Sequence, residues 1–189
     1  METLEKETQI QRYFDFYQTK VLPEVEKLAS QKKEGYHGLY THTPAVVFRG
    51  LDYAMSLGMD PRPVVFACAF HDMARTDDEY NEYHGPKAVP IAARIMDAFP
   101  DLAAAQRASI LSAVENHTTG RVAPDYVSAC LWDADRTRLS WGYGFMPECF
   151  STVRARDVAR VAADEYVAFM RKTISDYAKS KLPEITTEY

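Results

Sequence analysis

Val64-Val65-Phe66-Ala67-Cys68-Ala69-Phe70-His71-Asp72 sets seven apolar residues, with no polar gap, directly before an imidazole and a carboxylate. A helix that is apolar all round is buried on every side. A buried charge is costly unless it is paired or bound to a metal. The stretch therefore predicts a central helix ending in a polar pair inside the protein. A lone His-Asp dipeptide is accounted for by a hydrogen-bonded pair at a helix C-terminus, so the surroundings must decide.

Outward from this run the chain reads as helices, with no alternating strand pattern and no internal repeat. Ile10, Phe14, Tyr17, Val21, Val25 and Leu28 recur at helical spacing over residues 4–30, and Pro23 should bend or split that helix. Residues 31–41 read as a loop. Thr43-Pro44 supplies an N-cap and a first-turn proline for a helix ending near Gly58. Asp60-Pro61-Arg62-Pro63 opens the central run, and a polar insert, Arg75 to Tyr83, follows it. Gly85-Pro86 starts a helix that Pro100 stops, with Pro90 an awkward member. Asp101 is placed to cap the next helix, which ends at Asn116-His117, and Pro124 starts another through Asp133 and Asp135. A Gly- and aromatic-rich loop (140–147) then precedes a long helix to about Lys179. The expected organisation is an all-α, single-domain helical bundle. Residues 1–35 form an N-terminal helix packing on the core, 36–180 the main helical domain that carries the histidines, and 181–189 a tail.

Bulk properties narrow the function. With 189 residues there is room for one core of good size. The net charge of −5 is interspersed, which disfavours nucleic-acid polymers and anionic membranes. No apolar run approaches a membrane span, and the charged N-terminal stretch is unlike a signal peptide. Cys68, Cys130 and Cys149 are too few and too scattered for a disulfide framework or zinc ribbon. A reducing cytoplasm is the expected setting.

Four of the five histidines, His42, His71, His84 and His117, sit at expected helix boundaries, where separate helices can present side chains to one pocket. His37, in Gly35-Tyr36-His37-Gly38, reads as an exposed loop residue, with contact to a substrate the alternative. On a wheel through Val127, Cys130, Leu131 and Ala134, Asp135 falls at the edge of the core face. Asp133 points away, toward solvent or toward Arg136 or Arg138. Imidazole and carboxylate together suit Fe, Mn, Ni, Co or Zn. Asp77 and Asp78 read as loop polarity. Trp141, Tyr143 and Phe145 either plug the bundle end or stack on a nucleobase.

The ordered set His42, His71-Asp72 and Asp135 in Asp133-Ala134-Asp135-Arg136 resembles the HD superfamily of metal-dependent phosphohydrolases, over roughly residues 36–155. The segments from His84 to Met96 and from Asn116 to Gly120 resemble those of two-metal members, such as bacterial hydrolases that split diadenosine tetraphosphate symmetrically. The resemblance implies His42, His71, Asp72, His84, His117 and Asp135 as ligands of two divalent ions (Fe, Mn, Co or Ni, with Mg and Zn open). Asp72 would bridge them as the catalytic carboxylate. It implies hydrolysis of a small phosphorylated molecule, a nucleotide or dinucleotide, through a metal-activated hydroxide. Arg75, Lys87 and Arg121 lie near these ligands in sequence and are candidates to grasp phosphate, each with a solvated surface charge as the plain alternative. The ligand set also resembles that of two-iron oxygenases on the same fold. A non-catalytic metal- or nucleotide-binding module is a third reading, and a homodimer stays open.

Overall fold

A computed structural model describes residues 2–79, 81–137 and 146–164. They form helices α1 (Glu2–Phe16), α2 (Leu22–Leu28), α3 (His42–Ser56), α4 (Arg62–Phe70), α5 (His84–Met96), α6 (Ala104–Asn116), α7 (Tyr126–Arg136) and α8 (153–164), with no strand among the described residues. The expected loop aromatics, the far part of the C-terminal helix and the tail lie outside them.

The apolar run sits where its composition requires. From Pro63 to Phe70 every residue of α4 is buried, and α1, α2, α3, α6 and α7 all pack against it. The split near Pro23 takes a specific form: a π-helical segment, Tyr17–Val21, joins α1 to α2. Leu22 N–H donates to Tyr17 O, five residues back, and the wider turn spares Pro23 from having to donate a helical bond it lacks. Tyr17, Val21 and Val25 are thereby all directed into the core.

Several start signals act differently from expectation. Helix α3 begins at His42, with Thr41 before it, and Thr43 is interior, its hydroxyl accepting from Gln31 Nε2 at 3.1 Å. Asp101 does not cap α6. It pairs with Arg62 at 2.5 Å, while the Gln106 side chain turns back to accept from Ala103 N–H at 3.1 Å. Pro90 is inside α5, four residues after Pro86. Asp125 caps α7 by accepting from Ser128 N–H at 2.8 Å.

Two glycines set helix spacing. A Cβ on Gly50 would lie 2.7 Å from Cys68 Sγ, so α3 and α4 cross closely only without one. A Cβ on Gly85 would lie 2.8 Å from the carbonyl oxygens of Val114 and Glu115. The start of α5 thus rests directly on the end of α6.

Candidate metal centre

The ends of α4 and α6, the starts of α3 and α5 and the last turn of α7 meet at one place. His71 follows α4, His84 opens α5, His117 follows α6, His42 opens α3 and Asp135 lies in α7. All six residues expected at the site are brought together there. Asp72, 2% exposed, lies in the middle with its two oxygens facing different neighbours. Oδ2 is 3.1 Å from His37 Nδ1, 3.4 Å from His71 Nε2 and 3.7 Å from His42 Nε2. Oδ1 is 3.0 Å from His84 Nε2 and 3.9 Å from His117 Nε2. Asp135 Oδ1 closes the first side, 3.0 Å from His42 Nε2 and 3.8 Å from His71 Nε2. Three donor groups result: His37, His42 and Asp72; His42, His71 and Asp135; Asp72, His84 and His117. In each the ligand atoms lie within 4.8 Å of one another.

The imidazoles are held in one tautomer by the same local device. His71 Nδ1 meets Cys68 O at 2.8 Å and His117 Nδ1 meets Val114 O at 2.7 Å; His84 Nδ1 meets Asn81 O. Each carbonyl belongs to the residue three positions earlier. A carbonyl only accepts, so Nδ1 carries the proton and Nε2 of a neutral ring presents a lone pair inward.

Whether this set fits a metal can be judged from those lone pairs. His84 Nε2 and His117 Nε2 face each other at 2.8 Å, with Asp72 Oδ1 beside them. His71 Nε2 and His42 Nε2 are 3.2 Å apart beside Asp72 Oδ2 and Asp135 Oδ1. Acceptors converge in this way only around a cation or an added proton. Ligand atoms sharing an ion at about 2.1 Å stand ~3–4 Å apart, and the contacts here run from 2.8 to 3.9 Å. The mixture of imidazole and carboxylate suits first-row transition ions. The residues fit the group.

Protons respond to the same crowding. Burial lowers the pKa of His71, yet the charge and hydrogen bond of Asp72, the charge of Asp135 and the bond to Cys68 O together outweigh it and push the group up to about 9. Burial, reinforced by the charge on His71, pushes His117 down to about 4. Burial also lowers His42, against the opposing hydrogen bond and charge of Asp135. Burial would raise both carboxylates, but the charge of His71, with the hydrogen bonds from His37 and His71, holds Asp72 well below the usual range. For Asp135, the His42 hydrogen bond and the His71 charge likewise override burial and lower it.

Two residues differ from the sequence reading. Asp133 is not solvated and does not pair with Arg136; it is fully buried. Its carboxylate accepts from Ser151 N–H at 2.8 Å and Thr152 N–H at 2.7 Å, anchoring the segment that leads into α8. Helix α7 is buried on more than one face, so the wheel's single core direction does not apply to it. Asp135 does face the site, with 26% of its side chain exposed. His37 is not a bystander on an exposed loop, since its ring reaches Asp72. The signal for it was indirect: five residues before His42, between Gly35 with φ of 107° and Gly38.

Of the expected phosphate-binding residues, Arg75 is 7% exposed. It donates to the carbonyls of Asp77 at 3.0 Å and Glu79 at 2.7 Å, with Nη1 against His84 and 3.9 Å from Asp72 Oδ1. It therefore ties the polar insert to the centre. Lys87 and Arg121 are exposed.

An all-helical bundle whose helix ends gather histidines and aspartates around one buried His-Asp pair has the architecture of an HD domain. Among solved structures, the chain is similar to the crystal structure of a predicted HD superfamily hydrolase from an uncultured Thermotogales bacterium. The TM-score is 0.66 at 20% sequence identity, covering 83% of this chain and 91% of that one. The likeness is one of fold. No family model and no curated protein matches the chain. Among the described residues no helix is long and apolar enough to cross a membrane.

Proposed function

We propose that this chain is a metal-dependent phosphohydrolase of the HD superfamily, acting on a small phosphorylated molecule, with nucleotides and dinucleotides the class to test first. One observation carries the reading: the two oxygens of buried Asp72 face two separate sets of imidazoles. An ion on the Oδ2 side would be held by His42, His71, Asp72 and Asp135, and one on the Oδ1 side by Asp72, His84 and His117. Ions so held supply positive charge for phosphoryl oxygens and lower the pKa of water.

The chain's own groups prepare that chemistry. The carbonyls of Cys68, Asn81 and Val114 fix three imidazoles with Nε2 inward, so no ring must turn over to bind. The buried end of α4, Phe66 to Phe70, with Met73, shuts bulk water out from beneath the centre. Arg75 keeps a positive charge beside Asp72 and His84, which supports a role in meeting a phosphate's charge. Lys87 and Arg121 are the exposed cations nearest in sequence to His84 and His117, and would receive the outer part of a substrate.

The test is elemental analysis of protein purified without chelators, then anaerobic phosphate release with Mn²⁺ or Co²⁺ across a panel of nucleotides and dinucleotides. Metal at about two per chain with phosphate release supports the reading. Oxygen uptake by the iron-loaded protein without phosphate release would replace it with a two-iron oxygenase on the same fold. Full activity in protein stripped of metal would remove the metal-dependent reading altogether.

A further inference from the structure

The six residues marked out by sequence leave one donor at the centre unassigned. His37 comes from the loop between α2 and α3, and its Nδ1 lies 3.1 Å from Asp72 Oδ2. Its ring stands edge-on to His42 with centroids 5.2 Å apart. The ligand atoms of His37, His42 and Asp72 fall within 4.8 Å of one another, the same closeness that defines the other two groups.

The loop is built to hold this ring in place. Ser30 N–H and Gln31 N–H both donate to Met73 O, the residue directly after Asp72. The buried Gln31 side chain donates to His37 O at 2.7 Å. His37 N–H donates to Asp78 Oδ1 at 3.0 Å, which ties the loop to the polar insert as well. Both backbone groups of His37 are thus engaged, while its imidazole is left directed at the centre. With 20% of its side chain exposed, and Asp135 at 26%, His37 stands on the solvent side, whereas His71, His84 and His117 are at 3% or less.

We propose that His37 is a further metal ligand, binding through Nδ1 beside His42 and Asp72 at the mouth of the centre, so that metal occupancy and the 29–41 loop are coupled. This rests on the metal reading above. In the ion-free arrangement the Nδ1 proton is donated to Asp72. The neutral ring becomes a ligand by carrying its single proton on Nε2 instead.

His37→Asn is the decisive variant, because the Asn amide nitrogen stands close to where Nδ1 stands and keeps a donor for Asp72 while removing the imidazole. His37→Ala removes both. Co²⁺ affinity by equilibrium dialysis, the Co²⁺ visible spectrum and circular dichroism would be recorded for wild type and both variants. Loss of an outer-shell partner already weakens metal affinity about 10–100-fold, so both variants should lose at least tenfold for one ion and show an altered Co²⁺ spectrum. Co²⁺ should also slow trypsin cleavage at exposed Lys32 and Lys33 in wild type but much less in the variants. Wild-type affinity and spectrum in His37→Asn, with a loss in His37→Ala, would overturn the proposal: His37 would then only donate a hydrogen bond to Asp72. Unchanged behaviour in both overturns it equally. Failure of wild type to bind Co²⁺ would instead be failure of the metal reading itself.

Discussion

Adding one methyl group at Gly85 should take away one ion and leave the other. The Cβ of Gly85→Ala would sit 2.8 Å from Val114 O and Glu115 O and 3.1 Å from His117 Nδ1. The two oxygens are backbone atoms at the end of α6 and cannot rotate aside. Reaching ordinary contact at 3.4 Å asks α5 to back away by about 0.6 Å. Val114 O is also the acceptor that fixes the His117 ring, so the methyl group disturbs both partners of the 2.8 Å His84–His117 contact. Ligand distances tolerate only about 0.2 Å, which predicts a loss of affinity of tenfold or more at the Oδ1 side of Asp72 and little change at the Oδ2 side. Overpacking costs about 1–3 kcal/mol. The helix preference of Ala over Gly returns at most ~1 kcal/mol, so a net destabilisation of about 1–2 kcal/mol should lower Tm by roughly 2–8 °C. Equilibrium dialysis with elemental analysis, beside a thermal melt, reads both quantities. Two ions bound at wild-type affinity would refute the argument that α5 and α6 must touch to build this half of the centre, and so would equal loss of both ions in a well-folded variant.

The two aspartates of α7 should separate cleanly. Asp135→Asn should lose metal and turnover with its melt little changed, whereas Asp133→Ala, which strands the buried Thr152 N–H and frees the half-buried Ser151 N–H, should cost about 1–3 kcal/mol of stability. The opposite pattern in paired melts and metal assays would mean their roles are exchanged. His71→Ala and Asp72→Ala should each remove bound metal and activity while circular dichroism stays helical; either variant retaining full metal and turnover would contradict the site. His84→Ala and His117→Ala should each bring metal content from about two to about one per chain and lower kcat more than KM. One metal in wild type and variants alike would leave a single-ion centre, with these histidines contacting substrate.

The sequence by itself determined the helical class and the buried position of α4, because an unbroken apolar run needs burial on all sides. It also showed four histidines at helix ends, which their neighbours reveal, but that these and two aspartates form one ligand set came only from the resemblance to a known family. Tertiary structure alone decided three things. It put Asp133 under the start of α8, because residues 151 and 152 cover a face of α7 that a wheel drawn for one helix takes to be open. It turned His37 inward, because Met73 and Asp78, distant in the chain, hold that loop against the centre, with Gln31 bracing it from within. And it set the two oxygens of Asp72 toward different imidazoles, which depends on α5 and α6 meeting at Gly85 and on α3 and α7 bringing His42 to Asp135 across 93 positions. Periodicity shows which face of a helix is apolar. It carries nothing about which other helix covers that face, and a metal centre is made entirely of such meetings.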